Sequence, residues 1–357
     1  MKESGKTYNR IVVKIGSSLF CSESDGLNRG LLKSLVMEIS GLIDSGKEII
    51  VVSSGAIALG MLRLGMNSRP KGLPYLQAAA AVGQNILMEN YSALFQEQKK
   101  NCAQILITWE DFNGRTRYLN AKNTLQTLLK LKTVPIINEN DTVSTDEIKF
   151  GDNDQLSARV ANLVSADLLI ILSDVDGLLD RDQKVVKVVP RINSQVRQLA
   201  CPTAKKTCVG GMITKIDAAK ISVDSGIVCV IANGRRSTTI REITNDPLSS
   251  GAWTVFLPKQ GFLAERKRWI AFGSKAKGTI TIDDGAKRAL RNKKSLLSVG
   301  VVSMCGNFDS GDVVAILDIN EEEIGRGKVT VSCKQLEKVK GMRFEKEIIH
   351  CDDLVLL

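Results

Sequence analysis

Over residues 1–231 the apolar positions fall into two alternating kinds of run. Short, continuous, β-branched stretches at 10–15, 48–53, 102–107, 133–138, 167–173 and 227–231 read as strands buried on both faces, the last but one being the most apolar. Residues 31–43 instead repeat apolar side chains at helical spacing and are closed by Gly46. Helices are also expected over 73–98, 115–131, 153–165 and 211–225, with Ala78 to Ala81 marking a close helix–helix contact. Strands that alternate with helices predict an α/β fold: a three-layer αβα sandwich around a mostly parallel sheet, which strand 227–231 completes.

Beyond about residue 262 the pattern changes. Short segments at 278–282, 299–302 and 312–317 are interrupted by Gly and Asp, and a single clear helix, 284–291, intervenes. A length of 357 residues exceeds one ordinary core. The expected division is therefore a large domain, 1–260, followed by a small β-rich domain, 261–357.

Composition narrows the class. With 43% hydrophobic and 25% charged residues the chain is globular rather than disordered. The charged start, Met1 to Lys6, does not read as a signal peptide, and the longest apolar run, 49–62, is too short for a bilayer, so a cytosolic protein without membrane contact is expected. Eight cysteines without a C-x-x-C pair predict reduced, mostly buried thiols and no zinc site. Of the net charge of +10, seven units fall in 1–260 and three in 261–357. Neither part is a basic tail, and a diffuse excess suits small anionic substrates as well as nucleic acid.

Histidine narrows the chemistry further, because His350 in the C-terminal tail is the only one. Imidazole-based triads, general bases and metal sites are thereby excluded from the large domain. Phosphoryl transfer survives that exclusion, since it depends on alignment and charge neutralisation. A carboxylate acceptor, with a pKa of about 4.3, is already ionised at neutral pH and needs no base.

The candidate residues sit where strands end and helices begin. The chain lacks both the P-loop and the G-x-G-x-x-G fingerprint. Lys14, followed by Gly16-Ser17-Ser18, reads as an ammonium aimed at phosphate beside free backbone N–H groups. Ser53-Ser54-Gly55-Ala56 leads from the second strand into a helix, and Gly210-Gly211-Met212-Ile213-Thr214-Lys215 resembles an anion site made from a helix N-terminus and a lysine. Asn138-Glu139-Asn140-Asp141 and Asp152-Asn153-Asp154 gather acids and amides around one strand–helix junction, as a polar ligand site requires. Asp174 and Asp176 follow the fifth strand; Asp174 caps a turn, orients the two lysines, or helps hold a magnesium ion brought in with a nucleotide.

These motifs, from Arg10 to Phe256, resemble the amino acid kinase family, and among its members those that phosphorylate glutamate. The segment from Arg268 to Lys346, with Gly273-Ser274-Lys275-Ala276-Lys277-Gly278 and Asp309-Ser310-Gly311-Asp312, is similar to a PUA domain. The resemblance implies transfer of phosphate from ATP to the side-chain carboxylate of L-glutamate, giving L-glutamyl 5-phosphate, the first step of proline biosynthesis. Lys14 and Lys215 would contact the transferred group and Asp174 would orient them. Ser173, Asp174 and the segment Val209, Gly210, Gly211, Met212, Ile213, Thr214 and Lys215 would hold ATP with its magnesium. Ser54, Asp141, Asn153 and Asp154 would hold glutamate. The resemblance also implies a homo-oligomer, proline as feedback inhibitor and a transient contact with glutamyl phosphate reductase. The family's usual Gly-Thr-Gly-Gly-Met reads Cys208-Val209-Gly210-Gly211-Met212 here, so a glycine and a hydroxyl are missing from the nucleotide loop. Two alternatives stand beside this reading. One is a kinase of the same fold acting on aspartate or acetylglutamate; the other is RNA binding by the PUA-like domain, which carries Lys287, Arg288, Arg291, Lys293 and Lys294.

Overall fold

Strand β1 (Arg10–Ile15) is flanked by β2 (Glu48–Ser53) and by β5 (Leu168–Ser173), both parallel to it. The structure, a computed structural model, describes residues 7–22, 26–143, 153–200, 211–258, 267, 269–273 and 276–356. The chain divides into two compact units. The first comprises Met1–Asp111 and Tyr118–Gln260, the second Phe112–Arg117 and Gly261–Leu357.

The first unit is built on an eight-stranded sheet. With β3 (Asn101–Ile107), β4 (Thr133–Glu139), β6 (Val188–Val189), β7 (Val228–Asn233) and β8 (Trp253–Phe256), its order is β3-β4-β2-β1-β5-β7-β8-β6. The apolar pattern ends the sheet at Ile231, whereas the structure carries it on by two short strands. β8 runs antiparallel to β7, and two-residue β6 pairs with β8. Strands of four and two residues are too short to show a period.

Alternation along the central strands sorts their side chains between two layers. Ile11, Val13, Ile15, Ile49, Val51, Leu168, Ile170 and Leu172 face one layer. They pack with Leu32, Leu35 and Ile39 of α1 (Arg29–Asp44) and Leu87, Tyr91 and Phe95 of α3 (Leu73–Glu97). The alternate residues, Val12, Lys14, Ile50, Val52, Leu169 and Ile171, are also buried. On that side lie α5 (Asn153–Leu163), against β1, β2, β4 and β5, and α6 (Met212–Asp224), against α5 and β7. Lys14 is thus delivered by strand parity to the layer formed by α5 and α6.

Two glycines let α3 approach α2 (Ala56–Arg63) to backbone contact. A methyl group on Gly60 would overlap the Ala79 carbonyl, and one on Gly83 the Ala56 carbonyl. This places the close helix contact expected from Ala78 to Ala81. Helix α4 (Arg115–Lys130) supplies the connection between β3 and β4.

The second unit has its own core, including Ile280, Val314, Ile316, Phe308, Leu336 and Ile348. Strands β9 (Gly278–Ile282), β10 (Val301–Gly306), β11 (Val313–Leu317), β12 (Glu323–Lys328) and β13 (Leu354–Leu356) form a sheet of order β10-β9-β11-β12-β13. Beside the expected helix, α7 (Asp284–Arg291), there is a second, α8 (Cys333–Val339), opened by a capping box between Ser332 and Gln335. Residues Ser298–Gly300 form a 3-10 turn, so the strand expected at 299–302 begins at Val301. The thiols also differ from expectation: of the five free cysteines described, only Cys229 is buried. No helix among the described residues is long and apolar enough to cross a membrane.

Candidate active site

Because the central strands are parallel, their carboxyl ends lie together, and Ile15, Ser53, Glu139, Ser173 and Asn233 open onto one rim. Backbone hydrogen bonds stitch part of that rim closed. The Gly16 N–H donates to the Leu172 carbonyl and the Ser54 N–H to the Ile15 carbonyl, each at 3.2 Å. The amide of Gly16, expected to be free for phosphate, is therefore taken. Gly55 turns the chain into α2 with φ of 105°, in the left-handed region that favours glycine.

At the rim, α5 and α6 bring their first turns to Lys14. Its Nζ lies 2.6 Å from Oδ1 of Asp154, and Nζ of Lys215 lies 3.2 Å from Oδ2 of the same carboxylate. The Thr214 hydroxyl is 3.0 Å from that Oδ2. Side-chain exposure is only 8%, 6% and 12% for Lys14, Asp154 and Lys215. Burial alone would push the Asp154 carboxyl up, but the two ammonium groups outweigh it and hold the pKa at about 2. Two cations share one anion, so the cluster keeps one positive charge in a site largely withdrawn from water. Gly16 lies beside it, where a Cβ would come 3.3 Å from the Leu172 carbonyl oxygen and into ordinary contact with the Lys14 Nζ. Helix α6 (Met212–Asp224) has Gly211 as its N-cap, which offers no side chain to cap the first N–H groups, the part of a helix that suits an anion.

The carboxylate that meets both lysines in the structure is Asp154. Asp174 is exposed and accepts a hydrogen bond from the Ser173 hydroxyl at 3.0 Å. Both oxygens of Asp154 are thus met by lysines and Thr214.

The acids and amides form a second cluster. The Asn153 Nδ2 donates to the Ser54 hydroxyl (2.8 Å), the Ser53 carbonyl (3.0 Å) and Asn138 Oδ1 (2.9 Å). Asp141, just past β4, has its pKa raised to about 6 by burial, with Arg69 pulling it only partway back. Met212 also lines a cavity of about 1230 Å³ together with residues such as Val175, Gly177, Arg181 and Gln195. Val209 and Gly210 lie outside the described residues, while Ile213 stands in the first turn of α6. Missing from the motif-based set are Gln84, Asn233 and Arg236. Asn233 donates to Asp176 Oδ1 at 2.9 Å and Arg236 pairs with Oδ2 at 2.8 Å, fixing the loop after β5. An Asn-Gly step directly after a strand was the available signal for Asn233.

Comparison with known proteins agrees with this geometry. Residues 9–233 match the model of the amino acid kinase family and residues 278–351 that of the PUA domain. The chain belongs to the amino acid kinase family. Within that family it is 44% identical to a protein named glutamate 5-kinase from Thermoanaerobacter sp. (strain X514), over 98% of either chain. Another glutamate 5-kinase, from Nitrobacter winogradskyi, is 43% identical over 98% of this chain and 96% of its own. Among solved structures, carbamate kinase from Giardia lamblia bound to AMP-PNP superposes with a TM-score of 0.51 at 14% identity, covering 71% of this chain and 99% of its own. That likeness establishes the fold of the family and nothing about substrate.

Proposed function

We propose that the chain transfers the terminal phosphoryl group of ATP to the side-chain carboxylate of L-glutamate, giving L-glutamyl 5-phosphate and opening the route to proline. The observation that carries this reading is the buried Lys14–Asp154–Lys215 cluster with its unbalanced positive charge. Similarity to glutamate 5-kinases over nearly the whole chain supports the substrate.

In the step itself a glutamate carboxylate oxygen forms a bond to the γ-phosphorus as the bond to the bridging oxygen of ADP breaks, and that oxygen keeps the electron pair. No proton moves, which suits a domain without histidine. Lys14 and Lys215 neutralise the equatorial oxygens, and Asp154 keeps both ammonium groups aimed. Ser173, Asp174 and the start of α6 hold the triphosphate, and the cavity beside Met212 takes the nucleoside. Ser54, Asp141 and Asn153 hold glutamate, with Asp141 facing its ammonium group. Magnesium fits as an ion carried by the nucleotide. Asp174 offers one exposed carboxylate, and the only cluster of three potential metal ligands among the described residues, His350-Cys351-Asp352, lies in the second unit. Held with the nucleotide beside Asp174, the ion would neutralise phosphate charge.

On this reading 1–260 is the kinase domain and 261–357 a PUA-like appendage. Proline, which shares the amino and carboxylate groups of glutamate, is the expected feedback inhibitor. The labile acyl phosphate calls for a reductase as consumer. Incubation with ATP, magnesium, glutamate and hydroxylamine should yield glutamyl hydroxamate. Turnover with aspartate or acetylglutamate but not with glutamate would overturn the assignment.

A further inference from the structure

The Asn153 side chain carries an anomaly that phosphate chemistry does not use. Its Nδ2 faces three acceptors, while its Oδ1 is buried and, among the described residues, has no hydrogen-bond partner. A buried amide oxygen left unpaired costs about 1–3 kcal/mol, so its orientation needs a reason.

The orientation is imposed from two sides by groups that cannot reverse. The Ser53 carbonyl only accepts, so the Asn153 amide must present its N–H groups to it. The Glu139 backbone N–H only donates, at 2.9 Å to Asn138 Oδ1, so the Asn138 amide is fixed as well. Its Nδ2 then has to find an acceptor in a position only 1% exposed, and it finds Oε1 of Gln84 at 2.8 Å. Gln84 stands on α3, turned by the bond from its Nε2 to Gln104 Oε1 at 3.2 Å. Two turns along the same face of the helix, Tyr91 meets the Ser53 hydroxyl at 3.0 Å, tying the helix to the end of β2. A chain of amides of single polarity thus runs from Gln84 through Asn138 to Asn153, and its free end is an acceptor.

We infer that Gln84 is a positioning residue for substrate selection: through Asn138 it holds the Asn153 Oδ1 as an acceptor reserved for the amino group of the substrate. The inference rests on the glutamate reading above. It deepens that reading by assigning discrimination for the amino group to a residue on a helix that touches no substrate. An amino acid supplies the missing donor, and a plain dicarboxylate does not.

The test compares glutamate with glutarate, which keeps the reacting carboxylate and lacks the amino group, in the wild-type chain, Gln84→Met and Gln84→Glu. Methionine matches the volume and removes the acceptor; glutamate at 84 retains it. For Gln84→Met the kcat/KM for glutamate should fall about tenfold through KM, with the KM for ATP and the activity on glutarate unchanged, so the preference shrinks about tenfold. For Gln84→Glu the preference should stay within about twofold of wild type. An unchanged preference in Gln84→Met, or an equal loss on both substrates, overturns the relay. Should Gln84→Met fail to fold, as its thermal melt would reveal, Gln84→Glu decides alone: a tenfold loss of preference there refutes the inference. A wild-type chain inactive on glutamate would overturn the activity and the relay together. A normal wild type with an unresponsive Gln84→Met overturns the relay alone.

Discussion

Asp154 and Asp141 are the same residue type in the same domain, both near the carboxyl ends of the sheet, and they are held in opposite states. Asp154 has two lysines against it and stays ionised down to about pH 2. Asp141 is half-buried, and withdrawal from water raises its pKa to about 6 against the opposing pull of Arg69. The difference lies in which partner the fold supplies. On the glutamate reading proposed above, the phosphate end carries its own cations to meet an anionic group. Asp141, whose pKa is raised by burial, would in turn meet the ammonium group of the amino acid and be favoured in its charged form when that group arrives.

Removing the cation at the first acid should have the largest effect. Lys215→Ala should lower kcat about a thousandfold in the hydroxamate assay while the melting profile stays near wild type. Near-normal kcat would show that Lys215 only balances Asp154. Removing the acid between the cations is expected to act on stability instead. Asp154→Asn leaves Lys14 and Lys215 facing each other across a neutral amide and should cost about 3–5 kcal/mol in denaturant unfolding. By contrast Asp141→Asn should raise the KM for glutamate about tenfold or more, with kcat and the KM for ATP within about twofold.

Much of this contrast was legible in the chain. Continuous apolar runs marked the five long parallel strands and β7, because strands covered on both faces need no polar alternation. Lys14, Asp154 and Lys215 stood out because each lies beside a strand end or in the first turn of a helix. Their mutual arrangement was not legible. Whether Asp154 or Asp174 meets the lysines depends on how α5 sits against β1, a contact across 140 residues. Gln84 was silent for a different reason. In an alanine-rich helix one glutamine reads as a solvent-facing residue, and only the close approach permitted by Gly60 and Gly83 helps set α3 where its amide is buried. Strands β6 and β8 escaped because they are too short for any period, and α8 because its capping box precedes only seven residues.

The two acids make opposite demands on pH. Asp154, with its pKa lowered, favours the folded charged form above its unfolded value near 3.8 and loses that contribution only as pH falls through about 2. It contributes no limb between pH 5 and 9. Asp141, raised to about 6, is protonated as pH falls below that value and then no longer attracts an ammonium group. The deciding measurement is therefore the KM for glutamate from pH 5 to 8, at saturating ATP and magnesium, in the wild-type chain and in Asp141→Asn. The wild-type KM should be flat above about pH 7 and rise toward tenfold per unit below about 6, and in Asp141→Asn the limb should vanish at a KM that is high throughout. A limb that persists unchanged in Asp141→Asn, or a wild-type KM flat across the range, would contradict the division of labour between the two acids.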